Sequence, residues 1–98
     1  MKLKIVKRED NRLELAVGGE GHALLNLLQD SLLENEGVRM AGYSKPHPLM
    51  DRSLLHVDTK NGENPEDALL AAAEDAKRRV KEFLEEFERQ VAELKKRQ

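Results

Sequence analysis

Apolar residues alternate with charged ones from the first position. Met1, Leu3 and Ile5 interleave with Lys2 and Lys4, the two-residue period of a strand with one apolar face. Asp10-Asn11 is turn chemistry, and Leu13, Leu15 and Val17 then interleave with Arg12 and Glu14. The two runs predict an antiparallel hairpin with one apolar face, broken at Gly18-Gly19. From Gly21 to Asn35 the period becomes helical. Leu24, Leu28 and Leu32 recur every fourth residue, and Leu25, Leu27 and Leu33 spread the stripe around most of the helix. Such a helix needs cover on several sides, and one sheet covers only one. Gly37 is the expected stop. Val38 to Tyr43 predicts a third strand, and Pro46-His47-Pro48 an extended, rigid connection. Leu55 and Val57, alternating with His56 and Asp58, predict a fourth strand that ends at Asn61-Gly62.

The last helix has clear punctuation at both ends. Asn64 suits the N-cap, Pro65 the first helical position, and Glu66 and Asp67 the positive end of the helix dipole. Lys95, Lys96 and Arg97 suit its negative end. Acid-to-base pairs at i,i+4 are expected at Glu74–Arg78, Asp75–Arg79, Glu85–Arg89 and Glu93–Arg97, making most of the charge runs a solvated helix face. The order ββαββα predicts an α+β fold: a four-stranded, mainly antiparallel sheet with two helices on one face, in one domain spanning residues 1–98.

The apolar stripe of this helix is too long for its domain. Leu69, Ala73, Ala76, Val80, Phe83, Phe87, Val91 and Leu94 recur at spacings of three and four. A helix from Pro65 to Arg97 is roughly 50 Å long at 1.5 Å per residue. A compact domain of this size is only about 30–35 Å across, so about 15 Å of helix overhangs. No Pro or Gly lies beyond Glu66 to fold the helix back. The proximal half is rich in Ala, whereas the distal half carries Phe83, Leu84, Phe87, Val91 and Leu94. Leaving four large side chains wet would forgo roughly 6–12 kcal/mol, comparable to the whole stability of such a domain. The stripe therefore predicts a protein partner, either a second copy of the chain or a different one.

Composition removes several alternatives. Charged residues make up 37% of the 98 residues and aromatics 3%, but the periodic apolar pattern argues for folding and not disorder. A net charge of −2, with basic and acidic residues interleaved, lacks the footprint of a nucleic-acid binder. Without Cys there are no disulfides, thiolate metal sites or Cys nucleophiles. The opening residues contain no apolar run fit for a signal peptide, and no segment approaches a membrane span, so the cytoplasm is the expected location.

Catalytic chemistry has little support. His22, His47 and His56 are the groups that titrate near neutral pH, and no two have metal-ligand spacing. His56 and Asp58 share a strand face and are placed to pair. Gly18-Gly19-Glu20-Gly21 lacks the Lys-Ser/Thr of a phosphate loop. No catalytic, metal-binding or cofactor-binding residue is expected.

Three segments together carry a family resemblance: Glu20-Gly21-His22-Ala23-Leu24-Leu25-Asn26-Leu27-Leu28, then Ala41-Gly42-Tyr43-Ser44-Lys45-Pro46-His47-Pro48-Leu49, then Thr59 with Asn64-Pro65-Glu66-Asp67-Ala68-Leu69. In order and spacing the chain resembles the archaeal DNA-directed RNA polymerase subunit L family. That family includes the eleventh-subunit type of eukaryotic polymerases and is related to the N-terminal dimerisation part of the bacterial alpha subunit. Where the family usually has Asp before the His and Thr after it, this chain has Gly21 and Ala23. The resemblance implies a non-catalytic assembly subunit, heterodimerising with the larger, D-type alpha-like polymerase subunit. Subunits N and P would join the pair, and the two large catalytic subunits, which hold the active-site Mg²⁺, would assemble on it. The partner interface is then expected on Leu24, Leu25, Leu28 and Leu32 of the first helix and on Val80, Phe83, Leu84, Phe87, Val91 and Leu94 of the last, with His22, Asn26 and His47 as assembly contacts.

Overall fold

Strands β1 (Lys2–Glu9) and β2 (Arg12–Gly18) form the expected hairpin, with the chain reversing at Asp10-Asn11. Helix α1 (His22–Glu34), β3 (Val38–Ser44), β4 (Arg52–Thr59) and helix α2 (Pro65–Lys96) follow, giving the order ββαββα. The computed structural model describes residues 1–19, 21–45 and 52–97. The Pro46-His47-Pro48 connection lies outside the described residues, and so does Glu20. All neighbouring strands are antiparallel, in the order β1-β2-β4-β3.

The register puts Leu13 opposite Val57 and Leu15 opposite Leu55, so one face of the sheet is continuously apolar. Two clusters build the core on that face. Leu13, Leu15, Val17, Leu25 and Leu55 form one; Leu32, Val38, Val57, Ala68 and Ala72 form the other, with Leu69 packed against both. Both helices therefore lie on the same side. Small residues at Ala68, Ala72 and Ala76 are the buried face of α2, which lets its backbone approach α1 and the sheet closely. Ala73, expected in the buried stripe, is exposed instead. The sheet contacts of α2 set its buried face slightly to one side of the stripe that distal periodicity predicts.

The helix ends follow local chemistry. The Asn64 Oδ1 accepts from the backbone N–H groups of Glu66 (2.8 Å) and Asp67 (3.2 Å). Gly21 caps α1 without a side-chain bond, as expected where Asp is missing. The end of α1 differs from expectation. It stops at Asn35, in extended conformation, and the Asn35 Oδ1 accepts from the Gly37 N–H at 2.8 Å. Gly37 is not in the left-handed region; a Cβ there would lie 3.1 Å from the exposed Glu63 side chain. Left-handed glycines occur instead at Gly19 (φ 79°) and Gly62 (φ 87°), where β2 and β4 give way to loops.

Asn11 fixes where α2 begins. Its Nδ2 donates to Thr59 Oγ1 and to the carbonyls of Lys60 and Glu63, tying the hairpin turn to the β4–α2 connection. From that anchor α2 runs on past the domain. The molecule measures 57 × 35 × 16 Å with a radius of gyration of 16.6 Å, against about 13 Å for a compact chain of this length. The overhang expected from helix length is present.

Candidate subunit interface

Four side chains hold α2 at a fixed angle to α1. Ser31 Oγ donates to Asp75 Oδ2 at 2.8 Å, and Arg79 bridges Glu34 (2.7 Å) and Asp75 (3.0 Å). These bonds hold the Asp75 carboxylate below its ordinary pKa, first through the Ser31 hydroxyl and then through Arg78 and Arg79. Of the i,i+4 pairs expected along α2, Asp75–Arg79 forms. Arg78 bonds Asp75 and Glu82 instead of Glu74, and Arg89 bonds Glu86 instead of Glu85. These exposed rotamers choose among acids of similar distance, which spacing alone does not decide.

Beyond Ala76 no described residue of α2 is fully buried. Val80, Phe83, Leu84, Phe87 and Leu94 are 51–69% exposed, and Val91 is half-buried. The Phe83 and Phe87 rings lie parallel, 6.0 Å between centroids, one turn apart. A rigid helix thus presents a ladder of large apolar side chains that no described residue covers. Isolated exposed hydrophobics need no explanation, but a contiguous ladder on one face does.

The leucines of α1 divide. Leu25 and Leu32 are 1% and 0% exposed and belong to the chain's own core, so they shape the surface only from behind. Leu24, Leu27 and Leu28 are half-buried, and Leu33 is exposed. His22 and Asn26 are already engaged: the Tyr43 hydroxyl donates to Asn26 Oδ1 at 2.9 Å, and His22 Nδ1 lies 3.2 Å from the same hydroxyl oxygen. With the hydroxyl proton given to Asn26, the Nδ1–H tautomer of His22 completes this bond. The two side chains clamp α1 onto β3. His47 lies outside the described residues.

The opposite face of the sheet holds polar groups without catalytic geometry. Asp58 does not pair with His56, because Arg12 claims it through bonds of 2.8 and 2.9 Å. Cross-strand register decides this, since Arg12 stands opposite Asp58 on β2. Arg12 also bonds Glu14 and holds that carboxylate below its ordinary pKa. His56 lies across Gly42, where a Cβ would come within 3.0 Å of its Nε2. Among the described residues, no group of three His, Cys, Asp or Glu side chains is placed to hold a metal ion. No helix there is long and apolar enough to cross a membrane.

Sequence inspection found the ladder on α2 and missed one feature. Leu3 and Ile5 stand opposite Val17 and Leu15 on the helix-bearing face, yet are 62% and 59% exposed, while Val17 and Leu15 are 3% and 8%. Alternation alone marked them as core. Their exposure follows from strand order, which makes β1 an edge that α2 meets at Arg8 through Glu66, leaving Leu3 and Ile5 uncovered.

Comparison with known proteins agrees with this architecture. Residues 12–86 match the family described as the RNA polymerase Rpb3/Rpb11 dimerisation domain. The chain is 43% identical over 86 residues to the DNA-directed RNA polymerase subunit Rpo11 of Sulfurisphaera tokodaii, covering 88% of this chain and 92% of that protein. It is 39% identical over 87 residues to the subunit Rpo11 of Saccharolobus shibatae, covering 89% and 95%. A crystal structure of the DNA-directed RNA polymerase subunit L from Thermoplasma acidophilum has the same fold, with a TM-score of 0.78 at 22% identity over 91% of this chain and 87% of that one.

Proposed function

This chain belongs to the RNA polymerase Rpb3/Rpb11 dimerisation domain family, and on that premise we propose that it is a non-catalytic assembly subunit of a multisubunit DNA-directed RNA polymerase, acting through heterodimerisation with the D-type alpha-like subunit. The single observation that carries this reading is the uncovered ladder Val80, Phe83, Leu84, Phe87 and Leu94 on a helix that overhangs its domain.

The physics of such a role is simple. A small domain cannot bury a long apolar helix by itself, and a partner carrying a counterpart helix removes both stripes from water together. The interface comprises Leu24 and Leu28 of α1 and Val80, Phe83, Leu84, Phe87, Val91 and Leu94 of α2, backed from within by Leu25 and Leu32. The locked junction at Ser31, Glu34, Asp75 and Arg79 supports this role, because a fixed helix angle loses less freedom on docking. The pair, joined by subunits N and P, is the platform for the large catalytic subunits, with His22, Asn26 and His47 as assembly contacts. The chain acts as one domain in the cytoplasm and contributes no catalytic group of its own.

Co-expression with a candidate D-type alpha-like partner, purified through a tag on one chain, tests this. A stoichiometric pair is expected. Phe87→Asp places a charge in the ladder and is expected to abolish co-purification while the isolated chain keeps its far-ultraviolet helix signal. Unchanged association would mean the distal ladder is not the interface. A stable homodimer that ignores the alpha-like partner in mass-resolved size exclusion would sink the heterodimer reading.

A further inference from the structure

The overhang of α2 begins where its contacts with α1 end. Ala76 is the last buried residue of α2 among those described. Helix α1 itself ends at Glu34, which Arg79 bonds at 2.7 Å. The long helix therefore leaves its domain at one place, and whatever fixes its direction there aims everything beyond.

Aim matters because the overhang is a lever. From Asp75 to Phe87 is roughly 18 Å along the axis, and to Leu94 roughly 28 Å, at 1.5 Å per residue. A tilt of about 10° at the root swings Phe87 by about 3 Å and Leu94 by about 5 Å. A gap of about 0.5–1 Å already forfeits a quarter to a half of a dispersion contact. A ladder that swings by several ångströms is not a surface of fixed shape.

Apolar packing at the root does not set the direction by itself. After Pro65, the buried residues of α2 are Ala68, Ala72 and Ala76. Methyl groups permit close approach, but they raise no long ridges to lodge in the grooves of α1, and ridges in grooves select a crossing angle. Leu69, packed on both core clusters, pins α2 at one point. The second point, about 9 Å further along, is polar and so demands geometry. Ser31 is the buried polar side chain of α1, 6% exposed, and its Oγ donates to Asp75 Oδ2 at 2.8 Å. Arg79 Nη2 spans Asp75 at 3.0 Å and Glu34 at 2.7 Å, and Arg78 donates to the other Asp75 oxygen. One carboxylate is thus held from both helices, with Glu34 of α1 steadying Arg79 from the far side.

We propose that Ser31, Glu34, Asp75 and Arg79 form a latch that aims the overhanging helix, acting as positioning residues for subunit pairing without touching the partner. This rests on the heterodimer reading above and deepens it, since it concerns how the ladder is presented and not what covers it. In the free chain the closed latch keeps the ladder in the direction that pairing uses. With the latch loosened the chain is aimed elsewhere part of the time, and apparent affinity falls in proportion to the fraction correctly aimed. Once bound, the partner holds the helix, so the loss falls on association. Most interface mutations act on dissociation instead, which separates aiming from contact.

Two measurements test this. The chain has no Cys, and Lys4 and Glu88 are exposed, so spin labels introduced through Lys4→Cys and Glu88→Cys report the direction of the overhang in the free chain. A single narrow distance distribution is expected with the latch intact. A broader or shifted one is expected after Ser31→Ala with Arg79→Gln, at unchanged far-ultraviolet helix signal. Equal distributions would overturn the proposal whether or not the chain pairs with the alpha-like partner. Against that partner, the latch variant is expected to associate about three- to tenfold more slowly and to dissociate within about twofold of the parent. Dissociation faster than that would make these residues partner contacts and overturn the positioning role. Arg79→Gln alone, at a side chain 35% exposed, keeps the fold and is expected to move both readouts the same way by less. If the parent chain does not pair with the partner, the heterodimer reading falls and takes the positioning role with it. If the parent pairs and the latch variant associates as fast, the latch alone falls.

Discussion

Asn11 does more than turn the first hairpin. Its amide joins three acceptors at the start of α2, among them Thr59, which is 2% exposed. Asn11→Ala removes this tie, although the Lys60 carbonyl keeps the Glu63 N–H and the Glu63 carbonyl keeps the Thr59 hydroxyl, and is expected to cost about 1 kcal/mol, read from the shift in urea unfolding; an unchanged midpoint would mean that water replaces the amide freely. Turn chemistry made Asn11 legible as a reversal, but its long-range partners depend on β4 lying beside β2. Acid behaviour is also set residue by residue. Asp75, Glu66 and Glu14 are held below their ordinary pKa by Ser31, Arg8 and Arg12 respectively. As pH falls, the unfolded chain protonates these groups first, so the stability they lend is complete above the ordinary carboxylate range. It is lost as pH falls through about 4 and below. Ser31→Ala returns Asp75 toward its ordinary value, and is expected to lower stability near neutrality and flatten its fall with acid. Melting temperatures across the acid range measure this, and an unchanged slope would remove Ser31 from the account.

Element boundaries were largely written in the sequence, because caps and breakers act over a few residues. Asn64-Pro65 starts α2 where expected, and α1 begins at His22 with a weak Gly21 cap. Gly37 misled because it is not in a helix-ending conformation; Asn35 caps α1 instead. Periodicity located the apolar face of α2 to within a residue or so, but the sheet and α1 decide which small residues touch. Ala72, 3% exposed, lies in a core cluster, and Ala73 faces out. Ala72→Leu is therefore expected to overpack the junction and cost about 1–3 kcal/mol, whereas Ala73→Leu stays within about 0.5 kcal/mol. Denaturant unfolding of the two variants checks this, and equal losses would mean that α2 sits at a different rotation.

The molecule as a whole is longer than its core requires, with an extent of 57 Å set by the overhanging helix. A partner that binds only the folded chain stabilises it by mass action. The melting temperature of the pair is expected to exceed that of the free chain and to rise with excess partner, and scattering from the free monomer should give a radius of gyration near 16.6 Å. A melting temperature indifferent to partner would argue against burial of the ladder. The sequence alone determined the strands, the helices, the overhang and the ladder on it, because periodicity, caps and length are local properties of a chain. Tertiary structure alone decided that β1 is an edge strand with Leu3 and Ile5 uncovered, that Leu25 and Leu32 are used internally, and that Asp58 belongs to Arg12 and not to His56. Each of these depends on which strands become neighbours, and strand order joins residues far apart in the chain that no local pattern connects.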